Sequence, residues 1–135
     1  MTKIVVDYEG DLRTKCTHFS SKNQLITDAP IDNKGKGESF SPTDLLATAY
    51  LSCMLTIVGV YCSQNEIEFL GASGSVEKEM KSNPRRIGEL KITIDFSKNK
   101  WSDKEKNKIE KAAKSCPVAK SISSEIEIDI TFNYA

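Results

Sequence analysis

Ile4, Val6 and Tyr8 alternate with Lys3, Val5, Asp7 and Glu9, the period of a half-buried strand. Glu9-Gly10-Asp11 reads as a turn, Leu12 to Phe19 as a second strand and Gln24 to Thr27 as a short third one. Asp28 to Ser39, rich in Gly, Asp, Lys and Asn, is expected to be an exposed loop. A helix start follows: Ser41 suits the N-cap, Pro42 the first helical position, and Asp44 faces the positive end of the helix dipole. From Leu45 to Cys62 the chain runs 18 residues without a charge, with aliphatic hydroxyls only at Thr48, Ser52 and Thr56. A helix apolar all round is expected to be buried all round.

Beyond it, Ile67 to Met80 and Ile87 to Phe96 read as two long strands joined by the polar turn Ser82 to Arg86, which makes them a hairpin. Ser102 and Glu105 have capping-box spacing. Ile109, Ala112, Ala113 and Cys116 then form a narrow apolar stripe on a lysine-rich helix that Pro117 must end. Ile126 to Tyr134 alternates strictly, as a last strand. The expected order is β-β-β-α-β-β-α-β in one domain over residues 1–135, of α+β class.

Composition narrows the function. With 135 residues the chain suits a single domain. Lysine plus arginine equals aspartate plus glutamate at 19 each, so the basic excess expected of a nucleic-acid binder is missing. The lysines of the second helix, Lys104, Lys108, Lys111 and Lys114, are interleaved with Asp103, Glu105 and Glu110, as on a solvated face. The start shows no basic segment followed by an apolar one, so a cytoplasmic location is expected. The long helix has the minimum length for a membrane span, but its small residues and lack of flanking anchors favour a soluble core. The other elements each have one apolar face, which is little material to wrap that helix. Pairing with a second copy would bury the surplus, so a homodimer is expected.

The chemistry points to sulfur. Cys16, Cys53, Cys62 and Cys116 include no CxxC pair, and His18 is the lone histidine, so no metal site and no cofactor are expected. Cys16 and His18 read as strand-packing or surface residues. Cys53 lies on the helix stripe of Leu46, Ala49, Ile57 and Val60, with Cys62 on the opposite side. If Pro117 opens a new turn, Cys116 stands at its N-cap, where free backbone N–H groups favour a thiolate.

Ser41-Pro42-Thr43-Asp44-Leu45-Leu46-Ala47 through Cys53 resembles the SP-x-x-LL-x-x-A-x-x-x-C helix of the OsmC/Ohr family, the osmotically inducible and organic-hydroperoxide-resistance proteins. Cys116-Pro117-Val118 is similar to the segment around that family's second cysteine. Thr27 to Pro30 and Asn83 to Ile87 resemble its general OsmC-like branch. The resemblance implies an intertwined homodimer and a thiol peroxidase acting on organic hydroperoxides or hydrogen peroxide. Cys53 would become a sulfenic acid, Cys116 would resolve it as a disulfide, and a dithiol such as a lipoyl protein would reduce that bond. It further implies an arginine near the thiolate, for which Arg13 is the candidate, held by a glutamate after the helix-opening proline. This chain has Thr43 there, with Asp44 next to it as the candidate either to take over the clamp or to complement the helix start; Arg85 and Arg86 read as solvated turn residues. Thr43 leaves a second reading open, a non-catalytic OsmC-like module that binds an apolar small molecule or partner in the dimer cleft.

Overall fold

A computed structural model describes all residues, 1–135, which form two compact units, Met1–Leu46 and Ala47–Ala135. In the first, β1 (Ile4–Gly10), β2 (Arg13–His18) and β3 (Gln24–Asp28) make an antiparallel sheet in that order. Gly10, Asp11 and Leu12 have φ of 90, 53 and 62°, a tight left-handed turn that glycine opens at little steric cost. Arg13 stands opposite Asp28, and Cys16 between Val6 and Leu25. The segment expected to be a loop contains a 3-10 turn at Ile31–Asn33. Asp28 does not belong to that exposed loop. It ends β3 and is fully buried, because its carboxylate pairs with Arg13.

Helix α1 (Pro42–Gln64) takes its first turn in the first unit and continues into the second. In the second unit β4 (Ser73–Lys81) and β5 (Arg86–Asp95) form the expected hairpin. Helix α2 (Asp103–Lys114) then leads to β6 (Glu127–Asn133), which pairs with β5 in parallel. A parallel neighbour requires a crossover, and α2 provides it. The observed order is α+β, as the periodicity implied.

The core of the second unit is Leu90, Ile92 and Ile94 of β5, Met54 and Val58 of α1, Ile109 and Ala113 of α2, and Phe96, all fully buried. Leu51 of α1 lies directly over Gly74 of β4, so that a side chain at 74 would meet it. The Phe96 ring lies 5.0 Å from that of Trp101 and 5.8 Å from that of Phe132, where the strands meet the start of α2.

Two expectations need correcting. The strand expected from Ile67 begins only at Ser73. Residues 67–72 instead bond to the segment before α2: Leu70 N–H donates to Asn99, Asn99 donates to the Gly71 carbonyl, and Trp101 donates to that of Glu68. Gly71, with φ of 118°, lets the backbone turn there. The long helix, moreover, is not buried all round. Ala47, Tyr50, Leu51, Met54, Val58 and Cys62 are buried along one face, whereas Ala49, Ser52, Thr56 and Val60 are exposed. By length and apolarity α1 could cross a membrane; in this fold a third of its most apolar window is buried within the protein.

Candidate functional site

Cys53 and Cys116, 63 residues apart in sequence, come near enough for Cys53 to act on the Cys116 thiol. Each is delivered by its own element. Cys53 stands midway along α1, on the shoulder of the buried face, and is half-buried. Cys116 follows the last turn of α2, after Ile109 and Ala113 on the stripe that faces the core, and is fully buried.

Pro117 cannot continue α2, and the chain tightens into a turn over residues 117–121. Ala119 N–H donates to Cys116 Sγ at 3.4 Å, and Lys120 N–H to the Cys116 carbonyl at 3.3 Å. Cys116 thus caps a turn with its sulfur. Two influences oppose each other on its thiol. Burial, the larger, pushes its pKa up; the N–H groups of Ala119 and Val118 pull it down, and the neighbouring Cys53 sulfur pushes it up again. Burial wins, so Cys116 holds its proton. The two sulfurs therefore differ: Cys116 is enclosed and protonated, and Cys53 is the one a reagent can reach.

Tyr50 completes the group. It precedes Cys53 by one helical turn and is 4% exposed. Burial, and then the charges of Cys116 and Cys53, raise its phenol, which stays protonated. Cys62 is buried elsewhere on α1, its thiol pushed up by burial and by the carboxylate of Glu105. Cys16 is half-buried in the first unit with Thr14 at 3.8 Å, and His18 is exposed and bonded to Ser21.

Within the first unit Arg13 is clamped. Its Nε and Nη2 donate to the two Asp28 oxygens at 2.7 and 2.9 Å, and Nη2 donates to Glu38 at 3.4 Å. The Asp28 side chain is 1% exposed against 29% for Arg13, and the Glu38 N–H also donates to Asp28. The paired guanidinium holds the Asp28 carboxyl low, despite burial, and the carboxylate raises Arg13 in turn. Sequence reasoning missed Asp28. The available signal was the β2–β3 register, which sets an acid opposite an arginine at the open end of the pair.

Asp44 is engaged at the helix start: its Oδ2 accepts from Ser41 N–H at 2.9 Å, and its own N–H donates to Ser41 Oγ at 3.0 Å. Thr43 Oγ1 lies 3.3 Å from Ser41 Oγ. Arg86 donates to the Ser82 and Pro84 carbonyls, which ties it to its own turn. No group of three or more His, Cys, Asp and Glu side chains is arranged to hold a metal ion.

The model of the OsmC-like protein family matches residues 35–131, which include both Cys53 and Cys116. An osmotic stress induced and detoxification response protein, so described, from Psychrobacter arcticus 273-4 is 47% identical, with a TM-score of 0.92 over 98% of this chain and 96% of that one. An OsmC-like protein from Mycoplasma pneumoniae shares the fold at 16% identity, with a TM-score of 0.82 over 100% and 97% of the two chains. So does an organic hydroperoxide resistance protein from Legionella pneumophila, at 14% identity and a TM-score of 0.79 over 98% and 96%. Among curated proteins none matches the chain. Its helix-borne and turn-borne cysteines lie within a fold shared along almost its whole length, and the chain belongs to the OsmC-like protein family.

Proposed function

We propose that the protein is a thiol-dependent peroxidase that reduces organic hydroperoxides or hydrogen peroxide. The observation that carries this reading is the neighbouring pair of one half-buried and one enclosed sulfur, Cys53 and Cys116. The Cys53 thiolate attacks the terminal peroxide oxygen. An S–O bond forms, the O–O bond breaks with its electron pair going to the leaving oxygen, and the proton lost by Cys53 returns to give an alcohol or water. Cys116 then attacks the sulfenic acid, releasing water and forming the disulfide, and an external dithiol of the lipoyl class restores both thiols. The neighbouring solved structures described as organic hydroperoxide resistance proteins support the substrate class.

We assign Arg13 as the cation that favours the Cys53 thiolate, on the family resemblance. In this chain Asp28 and Glu38 fill the clamping role left open by Thr43. Asp44 serves the helix start. The working form we propose is a cytoplasmic homodimer. Ile4, Val6 and Tyr8, 61, 57 and 67% exposed, lie along one face of β1, and α1 exposes Val60 beside its small residues. A second copy would cover such apolar surface.

Peroxide consumption with cumene hydroperoxide and a dithiol tests the reading. The wild type turns over, Cys53→Ser is inactive, and Cys116→Ser accumulates a sulfenic acid that dimedone traps. Equal consumption by wild type and Cys53→Ser overturns it. One observation favours a second reading, a non-catalytic binding module: an open hollow of about 400 Å³ in the second unit, walled by Leu51, Leu55 and Val76. In that case Cys53→Ser binds an apolar dye as the wild type does, and neither consumes peroxide.

A further inference from the structure

We propose that Tyr50 is a further catalytic group, which donates a hydrogen bond to the oxygen that leaves when Cys53 cleaves a peroxide. The proposal rests on the peroxidase reading and deepens it.

Tyr50 and Cys53 are three residues apart on α1, a spacing that stacks their side chains on adjoining turns of one helix flank. The phenol is 4% exposed and lies close enough to both Cys53 and Cys116 to feel their charges. Yet its hydroxyl makes no hydrogen bond within the chain, to either sulfur or to any other group. No fully buried side-chain oxygen or nitrogen lacks a partner, so this hydroxyl keeps some access to solvent. It is a donor without an acceptor at the place where an oxidant must approach.

A hydroperoxide attacked at its terminal oxygen by Cys53 develops negative charge on the other oxygen, one bond length further out. Cys116 is fully enclosed, and its sulfur accepts from Ala119. The Tyr50 hydroxyl is the uncommitted donor near that oxygen. It remains a phenol throughout: the hydrogen bond stabilises the departing alkoxide, and the proton that converts it to the alcohol is the one Cys53 gave up. A donor fixed where charge develops acts mainly on the transition state.

The leaving group sets the test. An alkoxide from tert-butyl hydroperoxide is strongly basic and needs a donor; the carboxylate leaving from peracetic acid needs little help. Alkylation of Cys53 by iodoacetamide releases iodide and requires only the thiolate. With Tyr50→Phe, which keeps the ring, the rate constant for Cys53 oxidation by tert-butyl hydroperoxide should fall about tenfold, the worth of roughly one hydrogen bond. Oxidation by peracetic acid and alkylation should each change less than about twofold, within the scatter of substitutions that remove no interaction. Equal rates with all three reagents overturn the proposal. So does an equal loss with all three, which would mark Tyr50 as a packing residue or a regulator of the thiolate. A wild type with no Cys53-dependent peroxide consumption removes the peroxidase reading itself, a result distinct from either.

Discussion

Arg13 and Asp28 show how a single residue's surroundings decide its chemistry. An acid at the end of a strand reads as solvated, but a bidentate guanidinium makes its burial tolerable. Because the folded Asp28 carboxyl lies below its ordinary range, its stabilising effect is complete above about pH 4 and is lost as pH falls through the lower folded value. Asp28→Asn should therefore lower the thermal midpoint at neutral pH and flatten its fall under acid, as melts between pH 2 and 7 would reveal. Glu38→Gln, altering a longer and exposed contact, should change little. Met54 illustrates the apolar case. It is fully buried, and Met54→Ala should cost about 2–5 kcal/mol in chemical denaturation, from lost transfer energy and a cavity.

At the scale of elements, local rules and cross-strand neighbours make separable contributions. The start of α2 is a complete capping box: Ser102 Oγ accepts from Glu105 N–H at 3.1 Å, and Glu105 accepts from Ser102 N–H at 2.8 Å. Ser102→Ala should destabilise the fold by about 1 kcal/mol in urea titration. The sheet of the second unit contains an opposite kind of feature. Glu89 stands in register between Glu79 and Glu127, with Glu77, Lys91 and Asp129 in the next row of the same face. Partial burial, then the neighbouring Glu79, raise the Glu89 carboxyl, while Lys91 at 3.9 Å opposes them. A raised carboxyl binds its proton more tightly folded than unfolded, so stability is gained as pH falls from neutral through the folded pKa toward about 4.3. Glu89→Gln should remove that gain, leaving a flatter thermal midpoint between pH 7 and 5.

For the whole molecule, the exposed apolar residues of β1 and α1 are the decisive feature. Val6 is 57% exposed in the single chain. Val6→Glu should dissociate the proposed homodimer in analytical ultracentrifugation, with helix and strand content retained by circular dichroism. A wild-type chain that sediments as a monomer at micromolar concentration counts against the dimer. Peroxidase activity followed alongside would report whether the cysteine pair depends on the second copy.

The sequence by itself determined the order of the elements, the capping box at Ser102 and the ending of α2 before Pro117, because each depends on spacing within a few residues. Alternation in β5 and β6 likewise marked their inward sides, since a pleated strand turns successive side chains to opposite faces. Only the tertiary structure decided the parallel pairing of β6 with β5, the loss of the strand expected from Ile67, and the one-sided burial of α1. It also brought Cys53 to Cys116 with Tyr50 beside them, and Asp28 to Arg13. These relations join residues tens of positions apart, so no local period encodes them. They follow from which faces must leave water together, and that is settled by packing the elements rather than by forming them.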